Sequence, residues 1–193
     1  WQAVFRAEAD YLIEHLKGCR EILSVGCGPA DIESILKEHG FQITGLDVSH
    51  EALGKAPDGM RKVAGRAEDM SFEKSSFDAV IYVASMQFIE DYRTAIERTY
   101  DVLRHGGRFI AMLLNPASAF FRQKMADPTS YIRSIRHADI SGIESTMARY
   151  FSLRTEYFLG ISDTEVCKAR KSTDAVLYII DGTKMANKQY KEP

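Results

Sequence analysis

Glu21-Ile-Leu-Ser-Val-Gly-Cys-Gly-Pro29 is the stretch that decides the fold. A short apolar run enters a turn with two glycines, the pattern of a strand ending in a tight loop. Ile32, Ile35 and Leu36 follow at helical spacing, and Gly40 supplies the stop. The unit reads strand, turn, helix. Forward of it, Phe41–Leu46 is a second strand closed by Asp47, and Ser49 is placed to cap a short helix through Lys55. Arg61–Ala64 is a third strand and Phe77–Val83 a fourth. Asp91 caps the next helix, on which Ile96, Tyr100 and Leu103 share a face. His105-Gly106-Gly107 is expected to stop that helix, and Arg108–Leu114 is a fifth strand. Backward of it, Phe5, Ala9, Leu12, Ile13 and Leu16 recur at helical spacing, so residues 2–17 form an amphipathic helix. Strands alternating with helices through short turns predict an α/β fold with a doubly wound parallel sheet.

Residues 116–150 break the rhythm, with helices expected at 118–125, 129–137 and 141–149. Two strands follow, near 152–159 and 174–181. With no crossover helix between them, they are expected to be antiparallel. The tail from Asp181 to Pro193 is polar and is expected to be mobile. With 193 residues, the chain suits one domain spanning 1–193, with a helical insert at about 116–150. Hydrophobic residues are 45% and charged residues 27%, and the net charge is -2. That balance leaves no basic footprint for nucleic acid, and no apolar run is long enough for a membrane span. Trp1–Lys17 is amphipathic, so no secretory leader is expected there. Cys19, Cys27 and Cys167 form neither a disulfide framework nor a metal-binding pair, so no metal is expected. The expectation is a reduced, soluble, cytoplasmic protein.

Ligands of open parallel sheets bind beyond the carboxyl ends of the strands, where strand order reverses. Gly26-Cys27-Gly28 lies there, and its missing side chains let a ligand approach the backbone. Asp47 ends the second strand, 21 residues after Gly26, where a carboxylate can accept both hydroxyl hydrogens of a ribose. Asp78 opens the fourth strand at its far end and is expected to satisfy local backbone groups. Together these features point to an adenosine-type ligand. The dinucleotide fingerprint Gly-x-Gly-x-x-Gly fails at its last position, Asp31, whose charge opposes a pyrophosphate. No Gly-Lys-Ser/Thr follows the turn, so a P-loop is excluded.

At this point the sequence resembles the class I S-adenosylmethionine-dependent methyltransferases, of the small Rossmann-like kind labelled type 11. Ile22–Pro29 resembles that family's glycine motif for the methionine part of the cofactor, and Ile43–Ser49 its ribose-binding strand end. Gly65–Met70 resembles the adenine loop, Phe77–Ile81 the fourth-strand motif, and Leu103–Ile110 the helix-turn-strand with its glycine pair. The resemblance implies a seven-stranded sheet, mostly parallel with one antiparallel C-terminal strand. It implies S-adenosylmethionine as cofactor, S-adenosylhomocysteine as product, and Gly26, Cys27, Gly28, Asp47, Val48, Ala67, Glu68 and Val83 as cofactor-binding residues. Phe88, Asn115 and Tyr131 are the substrate-side candidates.

Four positions depart from the family pattern: Ser24 replaces an acid, Ala30 a glycine, Arg66 an acid and Gln87 a histidine. Gln87 can hydrogen-bond but cannot act as a base near neutral pH. His137 is the other catalytic candidate. The absence of the Asp/Asn/Ser-Pro-Pro-Tyr/Phe motif after the fourth strand, and the short insert, favour a small-molecule acceptor. A carboxylate, a thiolate or an amine of lowered pKa would suit a site without a dedicated histidine. A non-catalytic cofactor-binding or partner-binding module and a nicotinamide oxidoreductase stand as alternatives.

Overall fold

The structure is a computed structural model, and it describes residues 1–162, 165–167, 169 and 171–186. Among these residues, eight strands make one sheet: β1 (Glu21–Val25), β2 (Gln42–Asp47), β3 (Arg61–Ala64), β4 (Phe77–Val83), β5 (Leu103–Leu114), β6 (Phe151–Ser162), β7 (Glu165–Cys167) and β8 (Ala175–Lys184). Their order is β3-β2-β1-β4-β5-β8-β6-β7. The first five pair in parallel. β8 lies antiparallel between β5 and β6, and β7 folds back on β6. The expected seven strands are thus eight, because the chain after β6 adds the short β7 before it returns as β8. Strand order reverses between β1 and β4, so a crevice opens beyond their carboxyl ends.

Among the described residues, six α-helices cover the sheet: α1 (Gln2–His15), α2 (Asp31–Glu38), α3 (His50–Lys55), α4 (Tyr92–Val102), α5 (Ala119–Ala126) and α6 (Ile140–Met147). Strand alternation sorts the core into two layers. Ala79 and Ile81 of β4 face α1 and α2, packing with Leu12, Leu16 and Leu36. Val80 and Tyr82 face α4 and α6, packing with Ile96, Ile143 and Met147. Buried Tyr82 keeps its hydroxyl paired, 2.8 Å from Thr99 Oγ1.

Three expectations are corrected. The helix expected at 129–137 is only a 3-10 turn over Tyr131–Ser134. The backbone N–H groups of Arg136 and His137 both donate to Gln87 O, at 3.0 and 3.1 Å, which draws the chain off a helical path. The glycine pair after α4 does not stop that helix, which ends at Val102. His105-Gly106-Gly107 instead forms an irregular start to β5, where the pairing jumps from Phe77–Leu103 to Ala79–Arg108. The polar tail is strand as far as Lys184, since Asp181 pairs with Arg108 and Lys184 Nζ donates to the Tyr100 and Leu103 carbonyls at 2.6 Å. Residues 187–193 of that tail lie outside the described residues.

Asp78 has the local role expected of it. Its Oδ2 accepts the N–H groups of Arg20 and Glu21 at 2.8 and 2.9 Å, and Oδ1 pairs with Arg104. Partial burial works against the charge, but the Glu21 and Arg20 N–H groups and Arg104 hold the carboxyl below the usual aspartate range. A depressed pKa contributes stability that is present above the ordinary value and lost as pH falls through the folded one. Asp78→Ala is therefore expected to lower unfolding free energy by about 2–3 kcal/mol at pH 7. The gap should close as urea titrations are repeated below about pH 4.

Candidate active site

The turn after β1 is shaped by one close approach. Gly26 has φ +73°, and a Cβ built there would lie 2.5 Å from Ser85 Cβ. Only glycine meets both demands at low cost. Ser85 Oγ in turn donates to Val25 O at 2.6 Å, fastening the turn after β4 to the end of β1. Gly28, at φ +54°, faces open space, with nothing within 4 Å of a built Cβ. Its N–H donates to Asp47 Oδ2 at 2.8 Å, and Asp47 Oδ1 accepts Ser49 N–H at the same distance. Asp47 thereby couples the glycine turn to the start of α3. Ala30 sits at φ +64°, which explains why a glycine suits this position.

Two cavities open on this turn. One, of about 470 Å³, runs past Asp47, Val48, Ala67, Glu68 and Phe88. The other, of about 410 Å³, lies between the turn, α1 and the insert, and includes Cys27, Gly28 and Val83. Gly26, Ala84 and Tyr131 border both, so the cavities form one bent cleft. Tyr131 stacks on Phe88 with centroids 5.9 Å apart. Val48 is 69% exposed, leaving an apolar surface on the rim beside Asp47. Glu68 Oε1 is held by Arg66 at 3.0 Å and by the Asp91 N–H at 3.1 Å, and Arg66 also bridges to Glu90. Burial pushes the Cys27 thiol up to about 12, with Glu33 and Asp47 adding to it, so it is no nucleophile at neutral pH.

Three sequence candidates lie elsewhere. Gln87 is fully buried, with its amide bonded both ways to the Leu114 backbone, at 3.1 and 2.7 Å. It fastens the turn after β4 to the end of β5 and has no atom left for chemistry. Asn115 donates to the Ser172 and Ala175 carbonyls at 2.6 and 2.7 Å and accepts Ala117 N–H, so it closes a loop and lines neither cavity. His137 Nε2 lies 2.9 and 3.1 Å from the Ile89 and Glu90 carbonyls, which only a ring N–H satisfies, and it too lines neither cavity.

Two buried carboxylates escaped the sequence reading. Glu33 of α2 accepts Ser24 Oγ at 2.5 Å. An acid on the helix thus stands against Ser24, the strand position where the family pattern has an acid. Glu8 of α1 is 4% exposed and lines the second cavity. It falls three residues after Phe5 and four before Leu12, so a charge inside an apolar helical stripe was the available signal. Burial pushes both carboxyls up to about 7.

Residues 23–111 match the model of the family described as "Methyltransferase domain". The matched stretch runs from β1 into β5. Among curated proteins, the chain is 35% identical over 99 residues to the O-methyltransferase resE of Aspergillus sclerotiorum, covering 46% of this chain and 38% of that protein. It is 29% identical over 107 residues to the malonyl-[acyl-carrier protein] O-methyltransferase of Enterobacter lignolyticus, covering 53% and 43%. It is 30% identical over 120 residues to the demethylmenaquinone methyltransferase of Staphylococcus haemolyticus, covering 56% and 50%. Each alignment spans half or less of the relative's length. The fold resembles an S-adenosylmethionine-dependent methyltransferase from Archaeoglobus fulgidus, with TM-score 0.78, 16% identity and 95% of each chain covered. It also resembles one from Thermotoga maritima, with TM-score 0.77, 20% identity, and 96% and 93% covered.

Glu33 generates a pH signature. An acid whose folded pKa is raised contributes stability present below its unfolded value and lost as pH rises through the folded one. Glu33→Gln keeps an oxygen for Ser24 and removes the titration. The variant should match the parent near pH 4 and exceed it in melting temperature by a margin that grows up to about pH 7.

Proposed function

We propose that the protein is an S-adenosylmethionine-dependent methyltransferase that transfers a methyl group to a small-molecule acceptor by in-line displacement. We further propose that it works in the cytoplasm, as a single domain with the 116–150 insert covering the substrate side. The observation that carries this reading is the bent cleft at the sheet's switch point, with a pinned carboxylate in one arm and an apolar chamber in the other.

The residues present fit the cofactor. Each Asp47 oxygen accepts one backbone N–H and retains capacity for another donor, so the pair can take the two ribose hydroxyls. Val48 and Ala67 give a purine apolar walls. The bare Gly28 leaves space for the methionyl part next to Gly26, Cys27 and Val83. When bound, the cofactor supplies an electrophilic methyl on a positive sulfur. What remains for the chain is to align the acceptor and exclude water. Tyr131 stands where the two arms meet, stacked on Phe88 of the first arm, and the pair can close over that junction.

The four departures from the family pattern each have a local partner or conformation that preserves the cleft. Ser24 holds Glu33, Ala30 adopts the left-handed turn, Arg66 bridges Glu68 to Glu90, and Gln87 ties the turn to Leu114. These support an active site over a passive module. Against a dinucleotide, Glu8, Asp31 and Glu33 all line the arm next to the glycine turn. A pyrophosphate there would meet like charge. The three cysteines are free, and no described helix is long and apolar enough to cross a membrane.

Calorimetry with S-adenosylhomocysteine tests the reading. The parent protein should bind it, and Asp47→Ala should weaken binding by about 1–3 kcal/mol through lost charge-assisted hydrogen bonds. A parent protein that stays unliganded at high micromolar S-adenosylhomocysteine would sink the proposal.

A further inference from the structure

Glu8 is the buried charge that the fold leaves unanswered. It is 4% exposed, and its side chain makes no hydrogen bond or ion pair among the described residues. Its carboxylate borders the 410 Å³ arm of the cleft, whose other walls include Phe5, Leu114, Phe120, Leu159 and Leu177. The charged or titratable side chains facing this arm, besides Glu8, are Glu33 and Asp31 from α2 and Tyr131 from the insert. Cys27 adds a protonated thiol, and no Lys, Arg or His side chain lines the arm among the described residues. An unpaired carboxylate buried against apolar walls is unfavourable, and it becomes favourable once a cation or strong donor enters. The arm lies within the size range of small-ligand pockets.

We propose that Glu8 binds the acceptor, and that the acceptor is a small amine carrying an aromatic or aliphatic body. This rests on the methyltransferase reading above. The apolar body packs against Phe5 and Phe120, and the nitrogen meets the Glu8 carboxylate. A carboxylate or thiolate acceptor would instead bring negative charge towards Glu8, Asp31 and Glu33 with no basic side chain to offset it.

The same carboxylate serves the chemistry. An amine entering as its ammonium ion cannot attack until it loses a proton. Glu8 takes that proton. The freed nitrogen lone pair forms the new bond to the methyl carbon, the carbon–sulfur bond breaks, and its electron pair stays on sulfur as a neutral thioether. The product leaves as a methylated ammonium ion, and Glu8 returns its proton to water. Burial first, and the neighbouring Glu33 charge second, push the Glu8 carboxyl up to about 7, which suits a proton acceptor working near neutral pH.

The test uses the full chain saturated with S-adenosylhomocysteine, titrated calorimetrically with phenethylamine, 2-phenylethanol and phenylacetate. Phenethylamine should bind at least tenfold tighter than the other two, and Glu8→Gln should erase that preference. Transfer of labelled methyl from S-adenosylmethionine to phenethylamine should fall at least tenfold in the variant. S-adenosylhomocysteine affinity should hold and the melting temperature should not fall, removal of a buried carboxyl of raised pKa tending to lift it, and together they serve as the control for folding. Glu8→Leu, which keeps the apolar packing, should behave like Glu8→Gln. Equal binding of the three probes, no binding of any, or an amine preference that survives Glu8→Gln would overturn the proposal. A tenfold loss of S-adenosylhomocysteine affinity in Glu8→Gln would also overturn it, by assigning the carboxylate to the cofactor's own ammonium group. Failure of the parent to bind S-adenosylhomocysteine would instead count against the methyltransferase reading itself.

Discussion

At Gly26 the backbone passes so close to Ser85 that the space between the turns after β1 and β4 cannot hold one extra methyl group. Every part of the site depends on that approach. It brings together the two strands between which the sheet changes direction, so that both arms of the cleft open from one point. Ser85 secures the approach by bonding Val25 O. Asp47 extends it sideways, linking the Gly28 N–H to the cap of α3. Gln87 extends it the other way, linking the turn after β4 to the last residue of β5. The cleft is thus framed by backbone-directed hydrogen bonds, which hold its geometry more firmly than contacts between long side chains would.

The two arms differ in electrical character. Around Asp47 the carboxylate is already engaged by two N–H groups, and the rim beyond it carries the exposed Arg66 network with Glu68 and Glu90. Surface ion pairs of that kind contribute little stability, and their effect here is to shape the rim. In the other arm Glu8 and Glu33 are buried, and among the described residues no basic side chain lines it. Burial therefore acts through proton affinity, raising Glu8 and Glu33 towards neutrality. The departure at Ser24 belongs to this pattern, since the serine hydroxyl satisfies the Glu33 carboxyl that packs against it.

The parallel half of the sheet was legible because local signals agree there. Strands β1 to β4 lie where their apolar runs lie, and Ser49 and Asp91 cap the helices they precede. The readings that failed depended on distant partners. Nothing near Tyr131 announces that Gln87 O, far back in the chain, will take the Arg136 and His137 N–H groups and hold the segment to a single 3-10 turn. Asn115 and Gln87 look like site residues on paper because a polar side chain at a strand end has two uses. Only the fold reveals that their bonds go to the backbone. Glu8 was hidden for the opposite reason: it sits in an amphipathic helix whose apolar face is easily read through, and its importance lies in what does not touch it.

The placement of β8 has a consequence for how the chain assembles. It runs between β5 and β6, bonding both along most of its length. Until residues 175–184 are available, β6 has no neighbour in the sheet's parallel half, and β5 presents an open edge. During synthesis the parallel half can gather early from near neighbours, whereas its closure waits for β8. Lys184 completes that closure by reaching the carbonyls of Tyr100 and Leu103, where α4 passes into β5. From the completion of β5 until β8 emerges, the newborn chain therefore carries an unpaired β5 edge, the interval in which it is most exposed to pairing with another copy of itself.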